Sequence, residues 1–206
     1  EIGLDVGHSI GAADMENIIE SVGGGAGFLD FDQGGFMDIY TCSGTWVDGF
    51  SKTKPPVSDH YNRLYRNLTD GTFQEVGKKA GVAGPLYSMG VTVGDINNDG
   101  YPEIYVSNYG DNTRYLTKGD GNFEDITYQA GVGGGGNCSV GAVWLDFNND
   151  GLLDLYVGNY LNYDPDYSYY YAPDGFPGPL AYDSQKDVLY RNLGNNKFED
   201  VTSSMG

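Results

Sequence analysis

An all-β fold built from repeated four-stranded propeller blades is the architecture this chain predicts, and three observations carry that expectation. The 206 residues include 33 glycines but only 19% charged side chains, a balance that suits many tight turns between short strands rather than long helices. A short acidic pattern, Asp-x-[Asp/Asn]-x-x-Gly-x-x-[Asp/Glu], occurs three times, each copy between short apolar runs. A second pair of strand-like runs follows each copy, so the repeating unit contains four strands, the content of one blade.

Residues 1–23 read as a lead-in, because Glu1-Ile-Gly3-Leu4 aligns with a segment that follows the last strand of a unit, Lys79-Ala-Gly81-Val82. His8 within it is expected to pack or turn the chain rather than bind a ligand. The first unit, 24–89, opens with the glycine-led run Gly25-Ala-Gly-Phe-Leu29, enters the acidic loop Asp30-Phe-Asp32-Gln-Gly34-Gly35-Phe-Met-Asp38 and leaves on Asp38-Ile-Tyr-Thr. Strand, tight turn and strand make a hairpin. A second hairpin runs from Arg63-Leu-Tyr-Arg-Asn67 through Asp70-Gly71, residues that tolerate positive φ, to Phe73-Gln-Glu-Val76. The second unit, 90–139, repeats this with Gly90-Val-Thr-Val-Gly94, the loop Asp95-Ile-Asn97-Asn-Asp99-Gly100-Tyr-Pro-Glu103, then Arg114-Tyr-Leu-Thr117 and Phe123-Glu-Asp-Ile126. The third, 140–206, does so with Gly141-Ala-Val-Trp-Leu145, the loop Asp146-Phe-Asn148-Asn-Asp150-Gly151-Leu-Leu-Asp154, then Val188-Leu-Tyr-Arg-Asn192 and Phe198-Glu-Asp-Val201.

Asp30 and Asp95 are 65 residues apart and Asp95 and Asp146 only 51, so the middle unit is compact and the others carry insertions, which map to loops. The first insertion spans 44–62. The second, 162–186, places Tyr163, Tyr167, Tyr169, Tyr170 and Tyr171 among acids and prolines, either as a contact surface or as cover for the edge of its own blade.

The loops carry the chemistry. Side-chain oxygens at positions 1, 3 and 5, a glycine at position 6 and a carboxylate at position 9 form a cage for a hard cation, and calcium is the expected occupant. The second and third loops have the full set, Asp95, Asn97, Asp99 and Glu103, and Asp146, Asn148, Asp150 and Asp154, with backbone carbonyls of Tyr101 and Leu152 expected at position 7. The first offers Asp30, Asp32 and Asp38 but has Gly34 at position 5, where water would replace the missing ligand, so it is the weaker third site. An EF-hand is excluded because strands flank these loops and the last acid stands at position 9 rather than 12.

A net charge of −18 argues against nucleic acid or an anionic membrane as partner, since either would repel the chain. The sequence contains no apolar run long enough to insert in a bilayer, and its first residues lack the zones of a signal peptide, so it reads as processed and secreted. His8 and His60 lie in no nucleophile or metal motif, and the glycine runs at 23–25 and 133–136 lack a following Gly-Lys-Ser/Thr, so no enzyme is expected; close approach of strands is the simpler use of those glycines. Asn67 and Asn137 begin glycosylation sequons. Cys42 and Cys138 fit either a disulfide or two separate buried thiols.

The wider phrases Gly23-Gly-Gly-Ala-Gly-Phe-Leu-Asp-Phe-Asp32, Leu64-Tyr-Arg-Asn67, Met89-Gly-Val-Thr-Val-Gly-Asp95, Val106-Ser-Asn-Tyr-Gly110 and Gly178-Pro-Leu-Ala-Tyr182 resemble FG-GAP or VCBS-type repeats. The likeness is to the subset associated with cartilage acidic protein and ASPIC/UnbV domains, and it covers nearly the whole chain. It implies a calcium-binding propeller with roles in protein interaction, adhesion or extracellular structure. Because propellers close with four to eight blades, three units leave edges that another chain or further blades must satisfy. Two other readings stand beside the interaction module: a self-assembling filament protomer, and a lectin-like propeller whose tyrosines stack on glycans.

Overall fold

The computed structural model describes residues 2–5, 7–50, 60–167 and 175–205. Within them, β-branched and aromatic runs separated by glycine and Asx turns form three antiparallel four-stranded sheets, each a simple meander in chain order. Blade 1 contains β1 (Ala26–Leu29), β2 (Asp38–Thr41), β3 (Arg63–Asn67) and β4 (Phe73–Glu75). Blade 2 contains β5 (Tyr87–Gly94), β6 (Glu103–Tyr109), β7 (Thr113–Thr117) and β8 (Phe123–Asp125). Blade 3 contains β9 (Ser139–Leu145), β10 (Asp154–Asn159), β11 (Val188–Asn192) and β12 (Phe198–Asp200). The innermost strands β5 and β9 begin at Tyr87 and Ser139, slightly ahead of the glycine-led runs at Gly90 and Gly141.

The blades share one register. Ile39 faces Tyr65 across β2 and β3, Ile104 faces Tyr115 across β6 and β7, and Leu155 faces Tyr190 across β10 and β11. Side chains alternate between sheet faces with period two, so each blade has one face toward its predecessor and one toward its successor. Leu29, Tyr40 and Leu64 of blade 1 pack with Ile104, Val106, Tyr115 and Phe123 of blade 2. Ile96 and Tyr105 of blade 2 pack with Leu155, Val157, Tyr190 and Phe198 of blade 3. Each such side chain contributes about 1.5–3 kcal/mol when fully buried, so the cores that hold the blades lie between sheets.

Glycine permits this approach at one place in particular. A Cβ on Gly25 would lie 2.7 Å from the Cα of Gly90, and one on Gly90 would lie 2.9 Å from the Val140 carbonyl oxygen. The inner strands therefore touch through backbone, as the run at 23–25 suggests. The run at 133–136 does something else: Gly134, Gly135 and Gly136 take φ of 80°, 67° and 83° in a tight turn, conformations that glycine adopts without steric cost.

Three four-residue helices absent from the all-β expectation follow the blades: α1 (Gly77–Ala80), α2 (Thr127–Ala130) and α3 (Thr202–Met205). Asp125 and Asp200 accept the N–H and hydroxyl of Thr127 and Thr202, starting the last two, while left-handed Gly81 and Gly131 end the first two.

The two insertions, far apart in sequence, meet over the inner ends of the blades. Phe50 sets its ring 4.3 Å from Tyr109, 5.3 Å from Tyr163 and 5.7 Å from Tyr87, edge to face. Tyr163 and Tyr167 both pack on Tyr182, Tyr163 half-buried within this cluster and Tyr167 exposed at its rim. Tyr169, Tyr170 and Tyr171 lie outside the described residues. Cys42 and Cys138 are both buried free thiols, one between blades 1 and 2 and the other in this inner cluster, so the disulfide alternative is not formed. His8 lies against Gly23 and Gly24. Among the described residues, the strands form three separate four-stranded sheets and no closed barrel.

Candidate metal centres

Each acidic loop is wound around its own first carboxylate. Asp30 accepts the N–H of Gly34 and Gly35, each at 2.8 Å. Asp95 accepts those of Asp99 and Gly100 at 3.0 and 2.9 Å, and Asp146 those of Asp150 and Gly151 at 3.1 and 2.9 Å. The side chain at position 3 (Asp32, Asn97 or Asn148) accepts the N–H at position 5. Position 5, where present, accepts from position 7: Asp99 from Tyr101 and Asp150 from Leu152, each at 2.9 Å. The glycine at position 6 has φ of 80° to 89° in every loop, a left-handed conformation that explains its recurrence.

Position 9 behaves differently. Asp38 and Asp154 are buried where the hairpin closes, and each ties two backbone donors. Asp38 accepts Phe31 N–H at 3.2 Å and Asn67 N–H at 2.8 Å, and Asp154 accepts Phe147 N–H at 3.2 Å and Asn192 N–H at 2.8 Å. Burial raises both carboxyls above the usual range, the backbone bonds oppose it, and the other two acids of the loop add to it. Glu103, one methylene longer, accepts only Ile96 N–H, at 2.8 Å through Oε2. Its Oε1 is buried without any hydrogen-bond partner. Burial pushes its carboxyl up to about 7; the Ile96 bond and Arg114 oppose this, and Asp99 and Asp95 reinforce it.

In the first loop Asp30, Asp32 and Asp38 bring one oxygen each to within 4.8 Å of one another. In the others position 3 is Asn, and its amide donates to the acid at position 5, Asn97 to Asp99 at 2.9 Å and Asn148 to Asp150 at 2.8 Å. The donors are all hard oxygens, the set that suits calcium rather than zinc or copper. Among the described residues only the first loop brings three carboxylates this close, while in the second Glu103 Oε1 is buried without a partner and Asp99 and Asp95 act on its carboxyl, so the residues fit a cation.

Two features escape the pattern. Position 4, free to vary in the motif, links neighbouring loops: Gln33 Nε2 donates to the Gly100 carbonyl at 3.1 Å and Asn98 Nδ2 to the Gly151 carbonyl at 3.2 Å. The loops thus stand in a row, with Gln33, Asn98 and Asn149 at φ of 55°, 59° and 58°. Asn and Asp enrichment at left-handed positions is the signal available for two of them. Arginines also face the acids: Arg66 Nε lies 2.6 Å from Asp32 Oδ2, and Arg114 acts on Glu103. The sequon residues are not prominent; Asn67 is half-buried with its amide on the Met37 carbonyl, and Asn137 is also half-buried.

A family model described as FG-GAP-like repeat matches residues 30–106 and 95–157 of this chain, each match starting at the first acid of a loop. Cartilage acidic protein 1 of Homo sapiens is 34% identical over 126 residues, covering 61% of this chain and 18% of that protein. The Mus musculus protein of the same name is 33% identical over 126 residues, covering 61% of this chain and 19% of its own length. That of Xenopus tropicalis is 38% identical over 72 residues, covering 34% and 11%. The chain spans less than a fifth of each of these relatives. Among the described residues, no helix is long and apolar enough to cross a membrane.

Proposed function

The chain belongs to the FG-GAP-like repeat family, and from that premise we propose that it is a calcium-stabilised row of propeller blades serving as an extracellular, non-catalytic protein-interaction module. The observations that carry the calcium reading are the oxygens of Asp30, Asp32 and Asp38, within 4.8 Å of one another, and Glu103 Oε1, buried and unpartnered. Asp95, Asn97, Asp99, Glu103 and the Tyr101 carbonyl would hold one ion, and Asp146, Asn148, Asp150, Asp154 and the Leu152 carbonyl a second. Asp30, Asp32 and Asp38 would hold a third. When bound, the cation supplies the positive charge that these clustered acids lack. Weak oxygen cages suit the millimolar calcium outside cells, which supports the extracellular address, as does similarity to proteins named for cartilage.

A ligand that binds only the folded state at 100 times its Kd stabilises it by about 2.7 kcal/mol. The test is thermal unfolding in millimolar calcium and in excess chelator: a higher melting temperature in calcium supports the reading, and superimposable curves overturn it.

One observation favours a second reading, self-association. Tyr40 and Tyr105 are 0% exposed beneath the next blade, but their equivalent Tyr156 on the outer face of blade 3 is 39% exposed, next to Val143 at 50%. A further blade would cover that face; supplied by a second copy, a head-to-tail contact that fails to close would extend as a filament. Particle mass by light scattering decides: a rise with concentration supports association, and a constant single-chain mass removes it.

A further inference from the structure

Two of the three acidic loops face an arginine from their own blade, and the third does not. In blade 1, Arg66 of β3 is opposite Gln74 of β4, which offers it no charge, and Arg66 instead holds Asp32 at 2.6 Å. In blade 3 the equivalent Arg191 is opposite Glu199 and pairs with it at 2.6 Å, away from the loop. Blade 2 has Leu116 there, but departs from its neighbours two residues earlier. The residue opposite the central tyrosine is Leu64 facing Tyr40 in blade 1 and Leu189 facing Tyr156 in blade 3, but Arg114 facing Tyr105 in blade 2.

Blade 2 is also the one blade whose loop ends in Glu rather than Asp. Glu103 and Arg114 lie on the same face of β6 and β7 as diagonal neighbours, close enough for long side chains to interact. Both are fully buried. The guanidinium crosses to blade 3, where Nη1 donates to the Asn196 carbonyl at 3.2 Å and Nη2 to Asn196 Oδ1 at 2.7 Å, over the Phe198 ring. Its Nε has no partner, like Glu103 Oε1. Each charge favours the ionised form of the other. Among the described residues, no ion pair reaches Asp146, Asp150 or Asp154.

We propose that these arginines grade the three loops for divalent cations: the blade 3 loop binds most tightly, and Arg114 and Arg66 weaken the second and first by supplying positive charge of their own. The grading rests on the calcium reading above. A cation entering the second loop must approach Glu103 against the field of a buried, diagonally placed guanidinium that water does not screen, whereas Arg66 has a side chain 51% exposed and repels less. The same arginines hold the first two loops together at low calcium, so metal dependence concentrates in blade 3.

The experiment is calorimetric titration with calcium of three double variants that each leave one loop intact: D30A/D95A, D30A/D146A and D95A/D146A. The loop of blade 3 should bind about tenfold more tightly than that of blade 2. Adding R114L, which installs the leucine that blades 1 and 3 carry, should tighten the blade 2 loop by about tenfold, while R114K should not. R66Q should tighten the first loop by about threefold. Equal affinities for the second and third loops, or a blade 2 affinity that R114L leaves unchanged or lowers, would overturn the grading. The order among the double variants stands even should R114L fail to fold. Absence of calcium binding by the wild-type chain would remove the calcium reading and the grading together, whereas binding without gradation would remove the grading alone.

Discussion

The loops of blades 1 and 2 confront the same problem, several carboxylates wound into one tight turn, and resolve it on opposite sides of the solvent boundary. In blade 1 the counter-charge is Arg66, half in water and salt-bridged to Asp32 at the rim, while the buried Asp38 uses both oxygens on backbone donors. In blade 2 the longer Glu103 leaves one oxygen unsatisfied, and its counter-charge is Arg114, buried between blades. The difference teaches that one motif can be tuned from outside its own nine residues, by what the third strand carries.

The largest way to break the comparison is to remove each arginine. Arg114→Ala strands a buried carboxylate and should cost about 3–5 kcal/mol in chelator by denaturant unfolding, less in calcium, which supplies the lost charge. Arg66→Ala breaks a solvent-screened pair and should cost about 1 kcal/mol or less. Similar costs for the two would mean that burial does not separate them.

The pH profile sharpens the comparison further. Burial raises the folded pKa of Glu103 to about 7 from its ordinary 4.5, so the folded state binds the proton more tightly than the unfolded one. In chelator its contribution is therefore fully present below about pH 4.5 and is lost as pH rises through about 7. Glu103→Gln should flatten that slope in calcium-free unfolding measurements; a slope unaltered by the substitution would show that Glu103 does not carry it.

A smaller effect is expected between blades 2 and 3. Tyr105→Phe removes a buried hydroxyl that donates to the Val132 carbonyl at 2.9 Å and should cost about 1 kcal/mol, a typical net hydrogen bond. Tyr156→Phe removes a more exposed hydroxyl, on Asp187 at 2.5 Å, and should cost less. A Tyr156→Phe cost equal to that of Tyr105→Phe, by chemical unfolding, would show that the outer face of blade 3 is covered in solution.

The parts of this fold legible in the sequence are those set by neighbours in the chain. Asp95 to Glu103 announces a tight turn, and the run at 23–25 announces the close strand approach at Gly25, because both requirements act within a few residues. What the sequence conceals depends on register and on distant contacts. That Asp38 and Asp154 staple Asn67 and Asn192 requires knowing that β3 and β11 lie beside the loops. Likewise, Phe50 and Tyr163 come from insertions more than a hundred residues apart and meet only once the blades have stacked. The glycines at 134–136 show the converse error, since a run read as strand approach serves a left-handed turn. The four-residue helices were hidden because they are too short for any helical period to register.

The central claim is that the acidic loops are cation cages completed by Glu103 and its counterparts. Calorimetric titration of calcium into chelator-stripped wild-type chain, with Glu103→Gln alongside, tests it most directly. The account predicts saturable binding by the wild type and the loss of one site in the variant. No binding heat together with an unchanged melting temperature, or binding that Glu103→Gln leaves untouched, would contradict it.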